Sequence, residues 1–374
     1  MPENTAPKLE DFDYELPAEL IAQHPARERA DSRMLVVRRE NGALEDAQFR
    51  RIGEFLQPGD VLVLNNSRVL PARLFGYRRG VAAQPVGKQN PERPKYLRSE
   101  IEVLLVRQVD ERTWEALVKP GRKVRNGEVL YFPGSNAAPG QAQNLEAEVI
   151  GRGEYGVRIL RFPEGVPLAD RLERIGHVPL PPYINRPDEA EDRERYQTVY
   201  ARTPGSVAAP TAGLHFSEEI LRGMESRGIE RVEITLHVGL GTFQPIHVHE
   251  IAKHQMHAES FEVSGEAAER LNKALAEKRR IIAVGTTTVR TLEHLAAQHG
   301  GRILPGTGET RLFIVPGFEF RVIGGLLTNF HLPRTTLLML ISAFAGRELV
   351  LEAYHHAVAQ RYRFYSYGDC MLIL

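Results

Sequence analysis

The sequence predicts a mixed α/β protein into which an antiparallel β-barrel is inserted. Three observations point there. Between 61 and 160 the chain passes through six segments rich in β-branched and aromatic residues, punctuated by Gly, Pro or Asn. From about 205 onward strand-like and helix-like patterns alternate, which argues for α/β layering. The first 60 residues are too few for a domain of their own. They are therefore assigned with 161–374 to one discontinuous α/β domain, with 61–160 as the inserted barrel.

The expected barrel segments are 61-VLVLNNS-67, 72-ARLFGY-77, 101-IEVLLVRQV-109, 113-TWEALVKP-120, 128-EVLYFP-133 and 146-EAEVIGRGEYGVRIL-160. Short strands in such a series bury one face each and manage their edges by closing on themselves. The phrase 119-KPGRKVRNGE-128 carries turn chemistry with a hairpin-like gap. The Pro-, Gly- and Gln-rich stretch 79–95 reads as a long loop between two barrel strands. Beyond the barrel, 217-SEEILRGMESRG-228 begins with a Ser cap and an acidic first turn and closes on Gly, which marks a helix. The run 230–239 alternates as a strand; 264–280 has helical amphipathicity. A buried strand at 281–285 leads into a helix over 287–300, 310–317 reads as a strand, and 335–346 and 347–362 read as helices.

Composition narrows the function. The 374 residues are 42% hydrophobic and 26% charged with zero formal net charge, ordinary for a globular chain. A single cysteine, Cys370, permits no disulfide within the chain, so a reducing cytosol is the expected compartment. No signal-like N-terminal run is present, and the most apolar stretch, 336-TLLMLISAFAG-346, is too short to span a bilayer. Charge is uneven, however. From Arg68 to Arg98 eight basic residues stand against Glu92 alone, which fits either a nucleic-acid patch or a solvated loop.

Several segments have the residues for chemistry. In 281-IIAVGTTTVRTLEHL-295 a strand ends at Gly285, and Thr286, Thr287, Thr288 and Arg290 open a helix. Free N–H groups and hydroxyls at a helix start suit an anion or a ribose, the alternative being a capped turn with no ligand. His215 in 211-TAGLHF-216 and His331 in 328-TNFHLPRTT-336 sit on polar or small-residue loops beside aromatics, where site residues are often held. The competing reading of His215 is a satisfied core histidine. In 235-TLHVGLGTFQP-245, Gly239 follows a strand, with His237, Thr242 and Phe243 nearby, yet the third glycine of a dinucleotide loop is missing. Glu259 offers a carboxylate or is an ordinary strand residue. A metal at 247-HVH-249 with His254 and His257 matches no familiar ligand spacing. Walker, nucleophile-elbow and methyltransferase fingerprints are absent.

Taken in order, LNNSRVLPARL, YQTVYARTPGSVAAPTAGLHF, LHVGLGTFQPI, MHAESFEV, VGTTTVRTLE, GLLTNFHLPRTTLLMLISAF and RYRFYSYGDCMLIL resemble the S-adenosylmethionine:tRNA ribosyltransferase-isomerases of queuosine biosynthesis, from about Asp11 onward. The resemblance implies an α/β fold with an inserted six-stranded barrel. It implies transfer and isomerisation of the ribosyl part of S-adenosylmethionine onto 7-aminomethyl-7-deazaguanine at the wobble position of a GUN anticodon. Epoxyqueuosine-tRNA would form, and adenine and methionine would leave. S-adenosylmethionine is then a substrate, and no true cofactor or metal is expected. The chain departs from the family pattern at 334-RT-335, where Lys-Ser is common, and at Ser260, where Tyr is common.

Set against that chemistry, His215 and His331 are acid/base candidates with Glu259 as partner. Thr211, Gly213, Phe216, His237, Gly239, Thr242, Phe243, Gly285, Thr286, Thr287, Thr288, Arg290 and Asn329 are placed at the substrate site, and Phe330 is a further aromatic that faces the cation or stacks on a base. Arg33, Arg68 and Arg73 are placed against tRNA phosphates. A monomer is expected. Two other classes stay open: a tRNA-binding barrel protein without activity, and an enzyme that cleaves S-adenosylmethionine for a small-molecule acceptor.

Overall fold

The computed structural model describes residues 8–78, 100–122, 124–134, 144–153, 156–239, 251 and 256–374. Its strands are β1 Arg33–Val37, β2 Leu44–Gln48, β3 Val61–Asn65, β4 Ser67–Val69, β5 Arg73–Arg78, β6 Glu100–Gln108, β7 Thr113–Lys119, β8 Val129–Phe132, β9 Leu145–Arg152, β10 Val157–Arg161, β11 Thr203–Ser206, β12 Glu230–Leu236, β13 Glu259–Val263, β14 Ile281–Val284, β15 Gly306–Thr310, β16 Gly325–Asn329 and β17 Cys370–Ile373. Among the described residues nine strands form a mixed sheet in the order β15-β13-β12-β3-β14-β16-β17-β1-β2. Six others close a barrel in the order β10-β7-β6-β5-β8-β9, and β4 pairs with β11.

The middle of the sheet is parallel: β12, β3, β14 and β16 run side by side in one direction. Strands covered on both faces lose the polar alternation of a half-exposed strand. In β3, Val61 and Val63 face one apolar cluster, and Leu62 and Leu64 face the other. Each such side chain, fully buried, contributes about 1.5–3 kcal/mol. Helices Gly265–Ala276, Thr286–Gln298, Thr336–Ala345 and Arg347–Ala359 place Leu271, Leu292, Ile341 and Val350 in the first cluster. Helices Ile52–Phe55 and Glu218–Ser226 place Ile52, Leu221 and Met224 in the second.

The mixed α/β fold with its six-stranded antiparallel barrel matches expectation, but the membership of the barrel differs. The segment 61–67 leaves the barrel altogether: its first five residues are β3, at the centre of the large sheet. The count stays at six because the segment 146–160 holds two strands, β9 and β10, paired with a register shift at Ile159/Leu160. Residues 119–128 do not form a hairpin, since β7 pairs with β6 and β10, and β8 with β5 and β9. The expected strand at 310–317 also moves: β15 ends at Thr310. Inside the barrel Val103, Leu105, Trp114, Ala116, Leu130 and Val149 share one cluster. Gly76 is required where β5 crosses β8, because a Cβ there would lie 2.3 Å from the Tyr131 carbonyl oxygen. The loop 79–95 and most of the basic run lie outside the described residues.

Candidate active site

The carboxyl ends of parallel strands are where open α/β sheets hold ligands. Here β14 ends at Val284 and Gly285 turns with φ +86°, a left-handed conformation that favours glycine. Gly285 N donates to Leu327 O of β16 at 2.8 Å, which ties the turn to its neighbour. The helix Thr286–Gln298 starts at once, with no side chain capping its first turn. Beside it β16 ends at Asn329 and runs on through Phe330 and His331. The short 3-10 helix Thr211–His215 closes a third side. Together these segments enclose a cavity of about 400 Å³, lined among others by Thr211, Gly285, Thr286, Thr287, Asn329 and His331.

Buried polar atoms in folded proteins nearly always have partners. Three at this cavity have none among the described residues: Thr287 Oγ1, Asn329 Oδ1 and Tyr365 Oη. All three residues are more than nine-tenths buried. The amide of Asn329 is not free to turn, because its Nδ2 donates to Tyr365 O at 3.0 Å and Asp369 O at 3.4 Å. That fixes Oδ1 as the open acceptor. A site with unpaired hydroxyls, an unpaired carbonyl and helix N–H groups suits a polar, flat or sugar-bearing small molecule.

The two histidines separate. His331 lines the cavity, and its Nε2 lies 2.8 Å from Thr328 Oγ1. Burial lowers its pKa to about 3, which keeps the ring neutral and makes it a weak proton acceptor in the free protein. His215 does not line this cavity. Its Nδ1 lies 2.7 Å from Ser32 Oγ, whose own hydroxyl donates to Arg29 O, and its Nε2 lies 3.2 Å from Asn329 Nδ2. Since the amide is a donor, Nε2 accepts and Nδ1 carries the proton. Burial, outweighing the Asn329 hydrogen bond, lowers this pKa to about 4. His215 thus stands behind Asn329 and holds it.

The other expected site residues separate by position. Thr211, Gly285, Thr286, Thr287 and Asn329 line the cavity as expected positions would. Phe216 is instead fully buried in the core, edge-on to Phe49 at 4.9 Å. Gly213 packs against Tyr200, where a Cβ would lie 2.1 Å from Tyr200 Oη. Thr288 is buried and donates to Val284 O at 2.8 Å, within its own helix turn. Phe330 does line the cavity, although it is fully buried, edge-on to Tyr354 at 5.4 Å and tilted to Phe364 at 5.0 Å. Thr242 and Phe243, like His247, His249 and His254, lie outside the described residues.

His237, Gly239 and Glu259 line a second cleft, of about 600 Å³, between barrel strands β6, β7 and β10 and the β13–β15 edge. The two spaces adjoin at Val238. Glu259 is ion-paired with Arg290, and both are buried. Arg290 also donates Nε to Leu312 O at 3.0 Å, and it is on the lining of neither space. Burial lowers the pKa of His237, whose Nδ1 has no partner among the described residues. A larger groove of about 700 Å³ elsewhere is lined by Arg202, Arg231, Glu233, Glu230 and Arg270, which neutralise one another in ion pairs.

Of the arginines expected at phosphates, Arg68 is half exposed and lies 3.6 Å from Glu173. Arg73 is held internally by Leu180 O at 2.8 Å and Glu102 at 3.2 Å. Arg33 stacks on Tyr362 at 3.7 Å and donates to Gln360 O at 2.6 Å. The cavity residues missed by sequence reasoning include two tyrosines, Tyr183 and Tyr365. Tyr365 sits in RYRFYSYGDCMLIL, where one tyrosine among four aromatics carries no local signal of a site.

Comparison with known proteins shows the family. The sequence profile of the family described as Queuosine biosynthesis protein matches residues 9–373. The chain is 55% identical over 368 residues to the S-adenosylmethionine:tRNA ribosyltransferase-isomerase of Solibacter usitatus, covering 98% of this chain and 99% of that one. It is 50% identical to the protein of the same name from Carboxydothermus hydrogenoformans, covering 98% and 100%. Among solved structures it is similar to S-adenosylmethionine tRNA ribosyltransferase from Thermotoga maritima, with TM-score 0.51 and 39% identity over 97% of this chain and all of that one.

Proposed function

The chain belongs to the queuosine-biosynthesis family of S-adenosylmethionine:tRNA ribosyltransferase-isomerases, and from that premise we propose the reaction in full. The protein moves the ribosyl part of S-adenosylmethionine to the aminomethyl group of 7-aminomethyl-7-deazaguanine at the wobble position of a GUN anticodon. The ribose rearranges to give epoxyqueuosine-tRNA; adenine and methionine leave. It works as a monomer in the cytoplasm with no cofactor beyond the ribosyl donor. No helix of the described residues is long and apolar enough to cross a membrane.

One observation carries the reading: the unpaired atoms of Thr287, Asn329 and Tyr365 share a 400 Å³ cavity at an uncapped helix start. An adenosyl ligand offers the hydroxyls, ring nitrogens and amine to pair with them. The reaction needs a base beside the sulfonium, and the place of the His331 imidazole on the cavity wall supports it in that role. A base in tRNA must be splayed out to reach the ribose. The cleft adjoining at Val238 supports entry of the tRNA base from that side.

The test is to incubate the protein with S-adenosylmethionine, with and without tRNA bearing the deazaguanine precursor, and to measure free adenine. Release only with the modified tRNA is expected. Release without RNA indicates a small-molecule acceptor, and tRNA binding with no adenine indicates a barrel that only binds.

A further inference from the structure

Tyr365 combines three features. Its φ is +72°, a region that bulky residues seldom occupy and that recurs at ligand clamps. Its ring is stacked on Tyr183 with centroids 4.1 Å apart and planes 21° apart, and both tyrosines line the cavity. Tyr183 is itself anchored by Ser366 Oγ at 2.5 Å, while Tyr365 Oη has no partner among the described residues. The same residue also governs Asn329. Its carbonyl receives Asn329 Nδ2 at 3.0 Å, and its N donates to Phe330 O at 3.3 Å. The backbone of Tyr365 thereby turns one open acceptor, Asn329 Oδ1, into the cavity that its own side chain supplies with an open hydroxyl.

Resting on the ribosyl-donor reading above, we propose that Tyr365 and Asn329 form the adenine subsite: Asn329 Oδ1 accepts from the exocyclic amine, and the Tyr365 phenol donates to the neighbouring ring nitrogen. An acceptor beside a donor is the complement of adenine on either edge that carries N6, with N1 or N7 as the second atom. Burial raises the phenol's pKa, with the neighbouring Tyr354 adding to it, so the hydroxyl keeps its proton to donate. Hypoxanthine reverses the pattern at Asn329, placing a carbonyl against a carbonyl. A buried polar group left opposite a like group is strongly disfavoured. A hydrogen bond to a ring nitrogen also favours departure of the base as electrons move onto it.

Equilibrium binding tests this apart from turnover. Calorimetric titration of the wild-type chain and Tyr365→Phe with S-adenosylmethionine and its 1-deaza and 7-deaza analogues is the measurement. Tyr365→Phe removes an atom with no internal partner, so its melting temperature stays at the wild-type value. Expected are an about tenfold weaker Kd for the parent ligand on Tyr365→Phe and an about tenfold wild-type preference for the parent over one deaza analogue. That preference is absent in Tyr365→Phe. Wild-type protein that binds the parent and both analogues alike overturns the proposal, as does a preference that survives intact in Tyr365→Phe. Wild-type protein that binds no S-adenosylmethionine overturns the donor reading itself, and the subsite with it.

Discussion

Truncating His215 to Ala removes a buried imidazole whose two nitrogens are both engaged, Nδ1 by Ser32 and Nε2 by Asn329. Loss of a buried ring of this size costs about 2–4 kcal/mol, from lost contacts and the space left behind. The polar penalty is small. Ser32 Oγ keeps Arg29 O, and Asn329 Nδ2 keeps Tyr365 O and Asp369 O. Asn329 therefore stays oriented but less tightly held. We expect a fall of 2–4 kcal/mol in urea-unfolding stability, a several-fold rise in KM for S-adenosylmethionine, and kcat within about tenfold of wild type. A group that transfers a proton contributes about 10²–10⁴ in rate. Adenine release at saturating substrates separates the two roles. A kcat loss beyond a thousandfold with KM and stability unchanged would refute the positioning argument and return His215 to the chemistry.

Thr287→Val replaces an unpartnered hydroxyl with a methyl of similar shape, so stability stays within about 0.5 kcal/mol while S-adenosylmethionine binds roughly tenfold more weakly. Equal Kd by calorimetry would remove Thr287 from the site. Glu259→Gln leaves the buried Arg290 without its counter-charge and should destabilise by about 3–5 kcal/mol, read from the denaturant midpoint. An unchanged midpoint would show that the guanidinium reaches solvent. His215 and His331 are lowered from 6.5 to about 4 and about 3, so the unfolded chain takes up these protons first as pH falls. Their contribution is fully present above about pH 6.5 and is lost as pH drops toward 4, with a slope of up to roughly 1.4 kcal/mol per unit for each. Unfolding curves between pH 7 and 4.5 measure it, and His215→Asn should halve the two-histidine slope; an identical slope would contradict the burial argument.

Helices were the most legible elements because their ends carry local chemistry. Ser217 and Ser264 accept from Ile220 N and Ala267 N at 3.3 and 3.1 Å, as caps of helices that begin one residue later. The strand 61-VLVLNNS-67 was misplaced for the opposite reason. A short apolar run reads the same in a barrel and in a buried parallel sheet, and only its partners, β12 and β14, decide between them. The cavity was half legible. Gly285, Thr286 and Thr287 announce a strand–helix turn, but Tyr365 joins them only through tertiary contacts. His215 shows the limit from the other side: its loop reaches the cavity through Thr211, while His215 itself turns to Ser32 and Asn329.

The pairing of β1 with β17 joins Met34 to Cys370. Roughly 340 residues separate them, on the order of 20–70 s of synthesis at typical ribosomal rates. Until β17 arrives, β1 and β2 have no bond to the rest of the sheet, and the apolar run Met34–Val37, fully covered in the finished protein, presents an open edge. Tyr365 and Ser366 are made just before β17. The nascent chain therefore stays adhesive along β1 until β17 has been made, and its dependence on chaperones during translation should exceed that of the folded protein.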